Sequence, residues 1–276
     1  MPHSCAGCSS RSFRSGLPLP SRRSLPLART TRSIGLATPW LCASPASRGL
    51  RRRWTKNTRG CRDWPRTCRW PSRSHWRGGG PGEGYPWPWS ITPWLAGEHV
   101  TIERLADPHQ AATDLARFIA ALQRIDPAGG PLPGAHNFGR GVPLAHRDRR
   151  TREAIRALDG ILDTAAVTAA WEAALRAPAW HGPPVWIHGD VSAGNLLAVQ
   201  GRLSAVIDFG GLGVGDPACD LMIAWTLFSG ESRETFRAAL AVDDATWARG
   251  RGWALSWALI FIPYYVHTNP VGVSNA

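Results

Sequence analysis

The fold is decided by residues 186–197, which read WIHGDVSAGNLL. This stretch places one carboxylate, Asp190, and one amide, Asn195, five residues apart and directly before an apolar run. A later apolar run ends in IDFG and brings a further carboxylate, Asp208, eighteen residues after Asp190. Each of these three oxygen-bearing side chains therefore lies close to an apolar run, where an element of secondary structure should begin or end.

The apolar runs around these side chains predict short strands. They lie at residues 185–187, 196–199 and 203–207, where β-branched and apolar residues are concentrated. Gln200-Gly201 is typical of a hairpin turn between the last two runs. The sequence thus predicts a small hairpin that carries polar residues at its ends.

Oxygen atoms at the ends of a hairpin suit a magnesium–nucleotide site. Mg²⁺ binds oxygen ligands at about 2.0–2.1 Å and keeps phosphate oxygens in its shell, so the Asn195 amide and the Asp208 carboxylate are suitable donors. The Asp190 carboxylate then remains available to accept a hydroxyl proton. A base combined with two metal ligands in this order is the pattern of phosphoryl transfer.

The motifs HGDVSAGN and IDFG, with GDPACDL at residues 215–221, closely resemble those of the aminoglycoside phosphotransferase family of small-molecule kinases. The resemblance covers roughly residues 81–276. It implies an α+β fold, the mostly helical C-terminal lobe of a protein-kinase-like fold with a small catalytic β-hairpin. It also implies Mg²⁺ and ATP, or another nucleoside triphosphate, as cofactors and a small-molecule hydroxyl as acceptor. Aminoglycosides, macrolides, choline, homoserine and sugar amines all remain open as acceptors.

The resemblance also implies roles for single residues. Asp190 is expected to be the catalytic base, and Asn195 and Asp208 are expected to be the magnesium ligands. His188 corresponds to the motif histidine that braces the loop, and a buried, hydrogen-bonded histidine without any further role is an equally good interpretation.

Three further features follow from the same resemblance. Asp216 is expected to cap the next helix, and Asp220 is expected to hold the catalytic loop. The proline- and tryptophan-rich connector at residues 85–95 resembles the family hinge whose backbone contacts the adenine ring. Trp89 and Ile91 are its expected nucleotide-binding positions.

Apolar spacings of three and four residues predict helices in most of the remaining chain. The first should begin at Pro108, capped by Asp107, and end near Gln123. A glycine- and proline-rich loop is expected at 127–143, and further helices are expected at residues 149–162, 164–176, 217–228, 233–241 and 244–266. No run of 18 apolar residues occurs, so the sequence predicts a cytoplasmic protein without a membrane span.

Charge divides the chain into two unlike parts. Residues 1–80 hold 17 Lys or Arg and one acidic residue, Asp63, whereas residues 81–276 hold 15 basic and 19 acidic residues. The acidic balance of the second part agrees with a cationic acceptor. We therefore expect a basic segment at residues 1–80, a hinge-like connector at 81–97 and a phosphotransferase C-terminal lobe at 98–276.

The basic segment has no periodic apolar face, so we expect residues 1–80 to be largely disordered. Its mixture of Arg, Ser, Pro, Trp and Cys is also typical of a GC-rich gene translated in a wrong frame. A transit peptide, a zinc site at Cys5 and Cys8, and a nucleic-acid-binding tail are weaker alternatives. Nucleic acid would then bind only nonspecifically, through charge.

A kinase-like N-terminal lobe is not visible in this sequence. Such a lobe supplies a strand lysine that pairs with a helix glutamate and holds the nucleotide phosphates. Lys56 is the only lysine, and it has no apolar strand around it. We therefore expect impaired transfer. A basic-tailed nucleic-acid-binding protein and a pseudokinase that binds nucleotide without transferring phosphate are the alternative interpretations.

Overall fold

The computed structural model describes residues 77–79, 89–91 and 94–265, and this part of the chain is mostly helical. Its helices are α1 (Pro108–Gln123), α2 (Asp148–Ala157), α3 (Thr164–Leu175), α4 (Ile223–Thr226), α5 (Gly230–Leu240) and α6 (Asp244–Tyr265). Its strands are β1 (Arg77–Gly79), β2 (Trp89–Ile91), β3 (Glu98–His99), β4 (Val185–Ile187), β5 (Leu196–Val199), β6 (Arg202–Val206) and β7 (Gly213–Gly215). A 3-10 helix, Pro217–Met222, leads directly into α4.

Helix α1 has the bounds that the sequence predicts. It begins where Asp107 Oδ1 accepts hydrogen bonds from the backbone N–H groups of His109 at 2.9 Å and Gln110 at 3.0 Å. Its apolar stripe, which includes Leu115 and Ile119, is fully buried. The helix packs mainly against α5, so the two form one wall of the core.

Two helices differ from the prediction. The helix expected at 149–162 ends at Ala157 as α2, and the chain then turns through Gly160 at φ 76°. Asp163 then begins α3 by accepting a hydrogen bond from Ala166 N–H at 2.9 Å. The helix expected at 217–228 is mostly 3-10, with only the short α4 at its end.

The strands form three small antiparallel sheets. Strands β3, β5 and β6 form one in that order, β4 pairs with β7, and β1 pairs with β2. The predicted hairpin is therefore β5–β6. Sequence patterning missed β7, because its residues Gly-Val-Gly show no alternation. It also missed β3, which has only two residues.

Strand β1 lies at the end of the basic segment, which was expected to be largely disordered. Its three residues pair with β2 of the connector. The other residues of the basic segment, 1–76, lie outside the described residues. Of the expected hinge at 85–95, the structure describes β2 and the residues from Trp94 onward.

Within the described part of the chain, the core consists of two clusters of buried side chains. One lies among α1, the hairpin and α5, and the other joins α2 and α3 to α6 and the 3-10 helix. The strands that carry the motif residues lie where these clusters meet, since Ile187 of β4 belongs to the second cluster and Leu196 of β5 to the first. None of the helices in the described ranges is long and apolar enough to cross a membrane.

Candidate active site

The loop that follows β4 is held by a buried carboxylate. Asp220 accepts hydrogen bonds from the backbone N–H groups of His188 and Gly189, both at 2.7 Å, and is itself fully buried. Burial raises the pKa of Asp220, while the backbone hydrogen bonds from His188 and Gly189 act in the opposite direction. The 3-10 helix therefore fixes the path of the loop from which Asp190 projects.

The imidazole ring of His188 joins this loop to the hairpin. Its Nδ1 accepts a hydrogen bond from Asp190 N–H at 3.2 Å, and its Nε2 lies 3.0 Å from the carbonyl oxygen of Ile207. The network thus places the ring proton on Nε2, where it donates to that carbonyl. The fully buried ring also packs against Phe209, with 4.6 Å between ring centroids. His188 therefore links the backbone of Asp190 to the residue that precedes Asp208.

Asp190 and Asn195 are in direct contact. Asn195 Nδ2 donates to the Asp190 carbonyl oxygen at 2.8 Å and to Asp190 Oδ2 at 3.0 Å. Because both N–H groups of the amide are engaged by Asp190, Asn195 Oδ1 remains an acceptor for another group. The five-residue spacing of the motif produces this contact through the short 3-10 turn Ala193–Asn195.

Asp208 lies just beyond β6, beside the residues already described. The backbone N–H of Ile207 donates to the carbonyl oxygen of Asn195 at 2.8 Å, which ties the two ends of the hairpin together. Asp208 has a left-handed backbone conformation, with φ 59°, and its Oδ1 accepts a hydrogen bond from Gly210 N–H at 3.2 Å. This conformation is uncommon for a residue other than glycine, and it is typical of functional sites.

Asp216 has a capping contact and an ionic contact. Its Oδ1 accepts a hydrogen bond from Ala218 N–H at 2.9 Å, at the start of the 3-10 helix. Its carboxylate also pairs with Arg249 of α6, with Arg249 Nε donating to Oδ2 at 2.9 Å, and both side chains are 3% exposed. Sequence reasoning missed Arg249, because 33 residues separate it from Asp216 and no local pattern connects them.

Arg140 is a second residue that sequence reasoning missed. It lies in the glycine- and proline-rich loop before α2, and its Nη2 is 3.4 Å from Asp190 Oδ1. Its side chain is 15% exposed, against 35% for that of Asp190. No local pattern in the loop at residues 127–143 indicates that its arginine lies beside a motif 50 residues later in the sequence.

The 3-10 helix also carries a buried thiol. Cys219 is 1% exposed, and burial raises its pKa, so its thiol stays protonated in the core. No group of three or more His, Cys, Asp or Glu side chains within the described ranges is arranged to hold a metal ion. Trp89 and Ile91 both lie in β2, whose backbone pairs with Gly79 and Arg77 of β1.

Gly189 is predicted to be essential to the loop. Its φ is 78°, and a Cβ atom at this position would lie 2.4 Å from the carbonyl oxygen of Gly211. We expect Gly189→Ala to lower the free energy of unfolding by about 1–3 kcal/mol, as measured by urea denaturation. Gly194→Ala is the control in the same loop, because a Cβ atom there has nothing within 4 Å. Equal stability of the two variants would contradict the prediction.

Comparison with known proteins assigns the family and the fold. A family described as "Phosphotransferase enzyme family" matches residues 73–253. This range includes the loop after β4, the hairpin and the 3-10 helix. No curated protein sequence matches the chain.

Several solved structures have a similar fold. The GDP and kanamycin complex of APH(2")-IIia has a TM-score of 0.63 at 16% identity, over 90% of this chain and 91% of that chain. The streptomycin-ATP-APH(2")-IIa ternary complex has a TM-score of 0.55 at 19% identity, over 85% and 83%. The macrolide 2'-phosphotransferase MphH from Brachybacterium faecium also has a TM-score of 0.55 at 19% identity, over 85% and 81%. These similarities show a kinase-like fold.

Proposed function

Because the chain belongs to the phosphotransferase enzyme family, we propose that it transfers the γ-phosphate of ATP to a hydroxyl group of a small molecule. Asp190 is the proposed catalytic base, and Asn195 and Asp208 are the proposed metal ligands. The observation that carries the proposal is the contact of the Asn195 amide with Asp190, which fixes a carboxylate beside an amide oxygen that is still an acceptor.

The proposed work of Asp190 is proton transfer. Its carboxylate is partly exposed, so an acceptor hydroxyl can approach it, and a carboxylate within hydrogen-bond reach of a hydroxyl orients that group and accepts its proton. His188 and Asp220 fix the backbone that leads into Asp190 through the hydrogen bonds described above. The backbone position from which the Asp190 side chain extends is therefore fixed by the buried groups His188 and Asp220.

The residues present also fit a magnesium ion. Mg²⁺ prefers oxygen donors and keeps few protein ligands, and Asn195 Oδ1 and the Asp208 carboxylate lie at the two ends of one hairpin. When bound, the ion would neutralise charge on the phosphate groups. The orientation of the Asn195 amide supports this assignment, because its two N–H groups are already used by Asp190. Trp89 and Ile91 remain the proposed backbone contacts of the adenine ring.

The proposed acceptor is a small cationic molecule. Residues 81–276 hold more acidic than basic residues, which favours a cation over an anion. The similar structures include complexes with kanamycin and streptomycin. A macrolide 2'-phosphotransferase is also among them, so macrolides belong in the same test.

The test is transfer of radiolabelled phosphate from ATP in the presence of Mg²⁺ to a panel of aminoglycosides and macrolides. We expect slow turnover, because Lys56 is the only lysine available for the nucleotide phosphates and its sequence surroundings are not those of a strand. Fast turnover would contradict the expected impairment. Loss of that turnover in Asp190→Asn would support the proposed chemistry. No labelled product with any acceptor would contradict the transferase proposal for this chain.

Binding measurements separate the alternatives. A rise in melting temperature with ATP and Mg²⁺, without any product, would identify a pseudokinase. Affinity for DNA or RNA that falls steeply with salt, and that is lost on deletion of residues 1–80, would identify a nucleic-acid-binding protein.

A further inference from the structure

We propose that Arg140 is a positioning residue that holds the carboxylate of Asp190 in the orientation needed to accept a proton. This inference rests on the proposed function, because it gives Asp190 the role of base. It concerns a side chain that lies outside the motifs of the sequence.

The two carboxylate oxygens of Asp190 have different partners. Asn195 Nδ2 donates to Oδ2 at 3.0 Å, and Arg140 Nη2 lies 3.4 Å from Oδ1 on the other side. Donors on both oxygens restrict rotation of the carboxylate about its Cβ–Cγ bond. Among the described residues, Arg140 is the side chain that pairs with Oδ1, so its removal leaves one oxygen without a fixed donor.

Arg140 can hold this position because hydrogen bonds close the turn that carries it. Asn137 is fully buried, accepts a hydrogen bond from Gly134 N–H at 3.1 Å through Oδ1, and donates to the Arg140 carbonyl oxygen at 3.0 Å through Nδ2. Arg140 N–H in turn donates to the Asn137 carbonyl oxygen at 3.1 Å. The Asn137 side chain therefore closes the turn and fixes the backbone from which the guanidinium extends.

Strand β7 and the residue that follows it anchor both ends of the same loop. Val214 N–H donates to the Pro131 carbonyl oxygen, and Asp216 N–H donates to the Gly141 carbonyl oxygen, each at 2.9 Å. Close packing adds to this, since a Cβ atom on Gly189 would meet Arg140 Cβ at 3.2 Å. The Arg140 backbone thus lies against the same loop that carries Asp190, and the guanidinium has a short path to the carboxylate.

The predicted kinetic effect is a loss in kcat. A misoriented base reacts more slowly, whereas nucleotide binding does not depend on its orientation. We expect Arg140→Gln to lower kcat by about 10- to 100-fold and to leave the KM for ATP unchanged. Arg140→Lys keeps the charge and should recover part of kcat. Arg117→Gln is the matched control, because Arg117 forms a pair of similar length, 3.5 Å to Asp114, on the exposed surface of α1.

The variants should also be combined. In the Asp190→Asn background, Arg140→Gln should change kcat little further, because the group that it positions has already lost its function. Additive losses in kcat, or an Arg140→Gln effect confined to the KM for ATP, would overturn the proposal.

A second readout does not need turnover. The Arg140 guanidinium resonances, assigned in the ¹⁵N-labelled full chain by comparison with Arg140→Lys, should shift in Asp190→Asn and stay in place in Glu231→Gln. Unchanged Arg140 resonances in Asp190→Asn would overturn the proposal even if the chain is inactive. Absence of turnover in the wild-type chain, together with the expected shift, would instead contradict the proposed function and leave the ion pair established.

Discussion

Replacing Asp190 by Asn should lower kcat for phosphate transfer by about 10²–10⁴-fold, the usual contribution of a positioned general base. The amide has nearly the shape of the carboxylate, and the backbone hydrogen bond to His188 does not depend on the side chain. The loss would therefore come from the missing proton acceptor and not from a disturbed loop. Transfer of labelled phosphate to the best acceptor of the panel measures it.

The control for this variant changes the same functional group elsewhere. Glu231 lies in the first turn of α5 with a side chain that is 94% exposed, so Glu231→Gln should retain the kcat of the wild-type chain. The melting temperature of Asp190→Asn should stay close to that of the wild type, which excludes unfolding as the cause. Wild-type turnover by Asp190→Asn would contradict its assignment as the base.

Replacing Arg249 by Met should lower the free energy of unfolding by about 3–5 kcal/mol, because it leaves a buried carboxylate without its counter-charge. Arg249 donates to both oxygens of Asp216 and also to the Pro178 carbonyl oxygen at 2.6 Å. One guanidinium thus joins α6 to the start of the 3-10 helix and to the chain before β4. Urea denaturation followed by tryptophan fluorescence measures the loss.

A surface pair provides the matched comparison for Arg249→Met. Arg104 Nη1 lies 3.0 Å from Glu98 Oε2, close to the length of the buried pair, but the two side chains are 65% and 76% exposed. Arg104→Met should therefore cost about 1 kcal/mol or less, because water screens an exposed pair. Equal losses of unfolding free energy in Arg249→Met and Arg104→Met would show that burial of Asp216 does not govern the destabilisation.

The sequence predicts those parts of the molecule that local chemistry determines. Asp107 and Pro108 specify the start of α1 through hydrogen bonds within one turn. Gln200 and Gly201 specify the hairpin because both adopt positive φ, at 50° and 72°. The motif around Asp190 is equally local, since its contact with Asn195 forms within five residues.

Contacts that depend on tertiary packing could not be predicted. Arg140 meets Asp190 across 50 residues, and Arg249 meets Asp216 across 33. Neither arginine is distinguished by its neighbours in the sequence from the other arginines of the chain. Strand β7 was missed for a related reason. Its sequence lacks the apolar alternation that normally marks a strand, and its pairing with β4 forms only in the folded chain.

The segment from Pro131 to Gly141 is attached at both ends, to β7 and to Asp216 just after it, and this limits changes in its length. An insertion or deletion between Pro131 and Gly141 would force one of the two anchoring hydrogen bonds to break. Leu132 and Phe138, by contrast, are 68% and 65% exposed within the same segment. Side-chain exchanges at such outward positions should therefore be tolerated better than a change in the length of the segment.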